Sequence, residues 1–184
     1  MALTETPICN FGEKAKDFNL LSTENKKVSL NDVKGENGTL IMFICNHCPY
    51  VKAIIADLVK DAKYLETMGI KSVAIMPNDV KNYPDDSFEN MMSFSKQHNF
   101  SFPYLIDDTQ KVATEFGAVC TPDFFGYNNK LELQYRGRIR ELKNLKPIRK
   151  GDSDLLLAMK QVAANGKGPT NQVPSMGCSI KWFK

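Results

Sequence analysis

At 184 residues the chain has room for one well-packed domain and is short for two. Its 42% apolar and 24% charged residues are ordinary for a globular protein, and a net charge of +3 is too small to argue for nucleic acid or a membrane surface. The longest apolar run, Leu40 to Ile44, falls far below the about 20 residues that span a bilayer.

The N-terminal stretch Met1 to Pro7 has neither a basic start nor an apolar core, so no cleaved secretion signal is expected and the chain reads as cytoplasmic. Residues 18–22 and 26–30 flank a turn at Thr23-Glu24-Asn25 and predict a small N-terminal β-hairpin. After a turn at residues 34–38, Thr39 to Ile44 reads as a strand buried on both faces. Val51, Ile54, Ile55, Leu58, Val59, Ala62 and Leu65 then form an apolar stripe of helical period, closed by Gly69. Ile70 to Met76 predicts a second buried strand, residues 84–98 a helix with acids in its first turn, 102–106 a short strand and 108–116 a short helix.

Residues 123–127 and 130–138 predict a hairpin around Asn128-Asn129. Its second strand alternates, with Leu131, Leu133, Tyr135 and Ile139 on one face and Glu132, Gln134, Arg136, Arg138 and Arg140 on a face expected to be solvated. Seven basic residues between Arg136 and Lys150 accompany one acid, Glu141; docking of an acidic protein is the alternative to a solvated face. Residues 152–164 predict the last helix. Strands alternating with helices and closed by a hairpin imply an α/β fold, a central mixed β-sheet flanked by helices on both faces. Residues 1–184 read as a single domain, with 166–184 as a C-terminal tail docked on it.

Five cysteines, Cys9, Cys45, Cys48, Cys120 and Cys178, make an odd set for a disulfide scaffold and point to redox chemistry or metal binding. Cys45-Asn46-His47-Cys48-Pro49 falls where the buried strand ends and the long helix begins. A helix N-terminus favours negative charge, and a free cysteine with a pKa of about 8.5 is only a few per cent thiolate at neutral pH. Two intervening residues let both sulfurs come within bonding distance. Cys45, at the rim, is the expected nucleophile and Cys48, one turn in, the resolving thiol. A protonated His47 would stabilise the Cys45 thiolate; its bland alternative is an exposed loop residue. The alternative for the pair is half of a zinc site, but a structural site usually supplies a second close pair and the other cysteines are single and distant.

Val119-Cys120-Thr121-Pro122-Asp123 precedes a strand. Together with the order of elements and the cysteine pair, it resembles the thioredoxin superfamily. The resemblance implies a cis Thr121–Pro122 bond, with the proline packed against the sulfurs and neighbouring backbone pairing with an extended substrate. Ala15-Lys16-Asp17-Phe18-Asn19-Leu20, Cys45 to Ala53, Cys120-Thr121-Pro122-Asp123 and Gly177-Cys178-Ser179-Ile180-Lys181-Trp182 resemble a narrower group, the peroxiredoxin-like branch of the alkyl hydroperoxide reductase/thiol-specific antioxidant (redoxin) family. True peroxiredoxins carry P-x-x-x-[TS]-x-x-C, with its cysteine aligned to Cys48. Ile41 and Cys45 stand where that motif has proline and threonine, which argues against peroxide reduction. Ile44 and Thr39 replace a tryptophan and a buried aspartate of thioredoxins.

Cys120 is expected close to the pair, as an alternative disulfide partner or a small buried hydrophobe. Cys178 is expected in the docked tail, as an auxiliary thiol or a packed one, and Cys9 as structural. The expected function is thiol–disulfide exchange by Cys45 and Cys48, tuned by His47, with Thr121 and Pro122 presenting substrate. It calls for no cofactor and no metal, only thiol or disulfide substrates and an electron-exchange partner. A thiol peroxidase and a thioredoxin-fold module holding a metal or protein client are the rivals. The direction of electron flow stays open, since His47 argues for an oxidant and the apparent compartment for a reductant.

Overall fold

The computed structural model describes residues 3–184. In chain order the elements are β1 (Leu3–Glu5), β2 (Asn19–Ser22), β3 (Lys27–Ser29), β4 (Gly38–Phe43), α1 (Pro49–Glu66), β5 (Ile70–Met76), a 3-10 turn (Pro84–Asp86), α2 (Phe88–Gln97), β6 (Tyr104–Ile106) and α3 (Lys111–Phe116). There follow β7 (Cys120–Thr121), β8 (Asp123–Asn128), β9 (Leu133–Tyr135), β10 (Leu142–Lys143), β11 (Lys146–Pro147), α4 (Asp154–Asn165) and β12 (Met176–Ser179).

β4 sits inside the main sheet because every one of its residues is apolar or small and can be buried on either side. It pairs parallel with β5 and antiparallel with β8, in a seven-stranded mixed sheet of order β3-β2-β6-β5-β4-β8-β9. The N-terminal hairpin extends this sheet, with β2 antiparallel to β6. Leu40, Met42 and Ile44 face a core built with α1, α2 and α4; Ile41 and Phe43 face a second core containing α3 and Phe116. The two-residue period of the strand thus divides its side chains between two buried layers, with helices on both. This is the thioredoxin fold, with a hairpin added at one edge.

Three elements differ from the sequence expectation. The helix expected over 84–98 is broken at Ser87, whose hydroxyl accepts a hydrogen bond from the Asn90 N–H at 3.3 Å and caps α2. The break turns Asp86 inward, fully buried. α3 begins at Lys111 because Asp107 accepts the Ala113 N–H at 2.7 Å, with Gln110 in the left-handed region at φ 60. The strand expected over 130–138 is confined to Leu133–Tyr135, with a register shift opposite Gly126/Tyr127.

The polar face of that strand is not solvated. Gln134, Arg136 and Arg140 are buried, because the C-terminal segment lies over the first two. Gln172 accepts the Arg136 N–H at 2.8 Å and donates to the Gln134 carbonyl at 2.9 Å. The Arg136 guanidinium is held by Asp123 at 3.0 Å, and Arg140 pairs with the Asp57 carboxylate at 2.8 Å while donating to the Arg149 and Gly151 carbonyls at 3.1 Å. Alternation shows which residues share a face but not what later chain covers it. β12 runs antiparallel to β1 on one side and to β7 on the other, placing Cys178 opposite Thr121. No helix among the described residues is long and apolar enough to cross a membrane.

Candidate active site

Cys45 follows β4, and Cys48 is the N-cap of α1, with Pro49 at the first helical position. Proline suits that position because its absent N–H would have had no intrahelical partner. An N-cap side chain normally accepts from the third helical N–H, here that of Val51. No side-chain hydrogen bond closes the cap, although the Val51 N–H lies near enough to favour charge on the Cys48 sulfur.

Neither cysteine is in a disulfide, and both are completely buried, so Cys45 does not stand at an open rim as expected. Negative charge is favoured on Cys48 rather than Cys45. Donation from the Cys45 thiol, helped by the Cys178 thiol and the Val51 N–H, outweighs burial and lowers the Cys48 pKa to about 5. Cys45 is pushed up by the same shared hydrogen bond, by burial and by the nearby Asp86 carboxylate. The two thiols interact strongly enough to titrate as a pair.

His47 does not face the thiolate as a free cation. Its Nδ1 lies 2.6 Å from Asp86 Oδ2, and its ring stacks near Tyr83 at 6.1 Å between centroids. The hydrogen bond to Asp86 raises the imidazole pKa against the opposing effect of burial. Burial raises the Asp86 pKa, but His47, Asn78 and the Asn46 N–H together bring it below the ordinary carboxylate value. The Asp86 oxygens take the Asn46 N–H at 2.8 Å and the Asn78 side-chain N–H at 2.8 Å, while the Asn46 side chain accepts from the Tyr104 hydroxyl at 3.0 Å. Asp86 thus clamps the Asn46-His47 bridge between the cysteines. In the sequence Asp86 reads as a first-turn acid of a helix; only the inward turn at Ser87 reveals its place.

The structure brings Thr121 to both sulfurs. Its hydroxyl is 3.2 Å from Cys45 Sγ, and its carbonyl oxygen, to which the Cys48 S–H can donate, is 3.2 Å from Cys48 Sγ. The Thr121–Pro122 bond is cis. Asp123 follows at once and anchors this corner through Arg136, which also donates to the Gly117 carbonyl at 2.7 Å. Burial pushes the Asp123 carboxyl up, more than the guanidinium pulls it down. Cys178 Sγ lies 3.0 Å from Cys48 Sγ. Cys120 is buried with its thiol directed at the Pro122 carbonyl at 3.5 Å, and burial raises its pKa strongly. Cys9 is half-buried, with its pKa raised to about 11, mainly by desolvation.

Cys45, His47 and Asp86 form a grouping whose ligand atoms lie within 4.8 Å of one another. The imidazole and carboxylate already satisfy each other, and Asp86 takes three further N–H groups, so a metal would have to displace formed hydrogen bonds. The arrangement is suited instead to holding a thiolate beside two further thiols, at the positive end of a helix.

The fold and the thiol site define a thioredoxin-fold protein. The chain belongs to the AhpC/TSA family, whose pattern matches residues 11–142. Among solved structures it is similar to an uncharacterized conserved protein from Geobacillus kaustophilus, with 38% identity, a TM-score of 0.94 and coverage of 100% of this chain and 97% of that one. A hypothetical protein from Sinorhizobium meliloti has 35% identity, a TM-score of 0.90 and coverage of 98% of each chain. A putative protein disulfide isomerase from Bacteroides thetaiotaomicron shares the fold at 15% identity and a TM-score of 0.66, over 90% of this chain and 96% of that one. Comparison with curated proteins gives no match.

Proposed function

We propose that the protein is a thiol–disulfide oxidoreductase that cycles Cys45 and Cys48 between dithiol and disulfide. The observation that carries this reading is the meeting of Cys45 and Cys48 on Thr121 at the head of α1, with a further thiol, Cys178, 3.0 Å from Cys48. In the reductive direction the Cys48 thiolate attacks one sulfur of a substrate disulfide, and the other substrate sulfur leaves as a thiolate. Cys45, on losing its proton, attacks Cys48 in the resulting mixed disulfide. The second substrate thiolate leaves, and a Cys45–Cys48 disulfide remains. Two electrons have passed from protein to substrate, and the reverse sequence oxidises a substrate dithiol.

This order of attack reverses the expectation from position alone. Its ground is charge: the sulfur that ionises first is the better nucleophile near neutral pH. Trapping distinguishes the two orders. A Cys45→Ser/Cys178→Ser variant should accumulate mixed disulfides through Cys48, whereas accumulation only in Cys48→Ser, through Cys45, would restore the opposite order. Absence of adducts from both would remove the reading. Rapid consumption of hydrogen peroxide with a sulfenic acid at Cys48 would favour a thiol peroxidase instead.

The substrates proposed are protein or small-molecule thiols and disulfides. Asn46, His47, Lys52, Asp85 and Phe94 contribute to a surface groove on the His47 side of the pair. Pro122, Tyr50 and Ile54 line a separate cavity with residues 173–176. Both openings are lined by neighbours of the buried sulfurs, and access to the thiols from either requires those neighbours to move.

A further inference from the structure

We propose that Cys178 is a third redox-active thiol, carried to the site by strand β12, which exchanges disulfide partnership with Cys48. The inference rests on the Cys45–Cys48 reading above. It adds a residue 130 positions away in the chain.

The first ground is distance. Cys48 and Cys178 Sγ lie 3.0 Å apart, both in buried residues, and a disulfide requires about 2.05 Å. The second is that β12 is built to hold Cys178 there. Cys178 and Ser179 pair with Thr121 and Cys120. On the N-terminal side the Ser175 hydroxyl donates to the Pro122 carbonyl at 2.9 Å; on the C-terminal side the Lys181 N–H donates to Asn78 at 2.9 Å, and the Asp79 N–H to the Lys181 carbonyl at 2.8 Å. The third is Gly177. A Cβ there would lie 2.1 Å from the Thr121 carbonyl oxygen, so only glycine lets the strand come this close. An antiparallel partner along the Thr121 backbone is also what an extended thiol-bearing substrate would be; here the chain supplies its own.

The step balances without an external oxidant. With Cys45 and Cys48 joined, Cys178 loses its proton and attacks Cys48 Sγ. The Cys48–Cys178 bond forms, the Cys45–Cys48 bond breaks, and Cys45 leaves with the electron pair and takes up the proton. The number of disulfides is unchanged. In the dithiol state burial, together with the adjacent Cys48 charge, raises the Cys178 pKa to about 12. Oxidation of Cys48 removes that charge, and with it one of the causes that hold the Cys178 proton, while burial continues to oppose ionisation. Cys120 lacks any such sulfur contact and is not part of the exchange.

Disulfide mapping by non-reducing peptide mass spectrometry, after equilibration in a glutathione redox buffer, tests this on the intact protein. The wild type should yield both Cys45–Cys48 and Cys48–Cys178 linked peptides. Cys45→Ser should yield Cys48–Cys178 as its main internal linkage, and Cys178→Ser should lose it entirely while keeping Cys45–Cys48. Absence of a Cys48–Cys178 peptide from both wild type and Cys45→Ser overturns the exchange even if Cys45–Cys48 forms. Absence of Cys45–Cys48 from Cys178→Ser overturns the underlying oxidoreductase reading, so the two failures are distinct. The wild-type measurement stands even if a variant fails to fold.

Discussion

At the scale of single residues, chemistry turns on which groups share protons. Cys48 is placed to ionise with a pKa of about 5, and the largest cause is donation from Cys45. Thiolate ultraviolet absorbance should therefore titrate near that pH in the wild type, lose the step in Cys48→Ser, and shift it upward in Cys45→Ala. An unchanged midpoint in Cys45→Ala would remove the shared proton from the argument. His47 offers a separate test, since Asp86 holds its pKa above the ordinary 6.5. For a group raised on folding, the stabilisation is complete below its unfolded pKa and is lost as pH rises through the folded one. The His47–Asp86 contribution should accordingly be full below 6.5 and decline above it. Asp86, whose pKa is lowered, should lose its own contribution as pH falls below the ordinary 3.8. In Asp86→Asn, NMR titration should find the His47 pKa closer to 6.5, and denaturant stability should lose its decline between 6.5 and the wild-type His47 pKa.

At the scale of elements, β12 is the segment whose position depends on the least conspicuous residue. Gly177→Ala would drive a methyl group against the Thr121 carbonyl, and neither backbone can retreat without opening the β7 ladder. The expected result is faster amide hydrogen exchange over residues 176–179 and faster alkylation of Cys48, with protection in β4 and β5 unchanged. Exchange spread evenly over the whole chain would instead indicate general destabilisation. α1 shows how much of an element sequence alone can define. Its apolar stripe predicts burial of Val51, Ile54, Ile55, Leu58, Ala62 and Leu65, and those six residues are buried. Val59 from the same stripe is only partly buried, at the edge of the contact. The stripe was legible because helix periodicity is a property of adjacent residues. The break at Ser87 was not, because Ser87 differs from a tolerated mid-helix serine only through the inward contacts of Asp86.

At the scale of the whole molecule, a buried ion pair joins the site corner to the covered hairpin. Arg136 and Asp123 sit between the Thr121-Pro122 segment and the C-terminal chain, and both are buried. Desolvation makes such a pair a poor source of net stability, yet removing one partner leaves the other charge buried and unpaired. Arg136→Ala should cost about 3–5 kcal/mol, read from the urea midpoint. A loss within about 0.5 kcal/mol, the range of an ordinary surface substitution, would show that the pair is solvated instead.

Sequence by itself determined what depends on neighbours along the chain: strands of period two, an amphipathic helix, and two cysteines at a strand–helix junction with a proline suited to the helix start. Family motifs extended that to the fold and to the cis bond at Pro122. Tertiary structure alone decided the placement of Asp86, 39 residues from His47, and of Cys178, 130 residues from Cys48. It also decided which sulfur meets the Thr121 hydroxyl and which the Thr121 carbonyl, and that an alternating arginine face is covered. The physical reason is common to all four. Proton sharing, desolvation and sulfur contact act through space over a few ångströms, and no local pattern records which distant segment will occupy that distance.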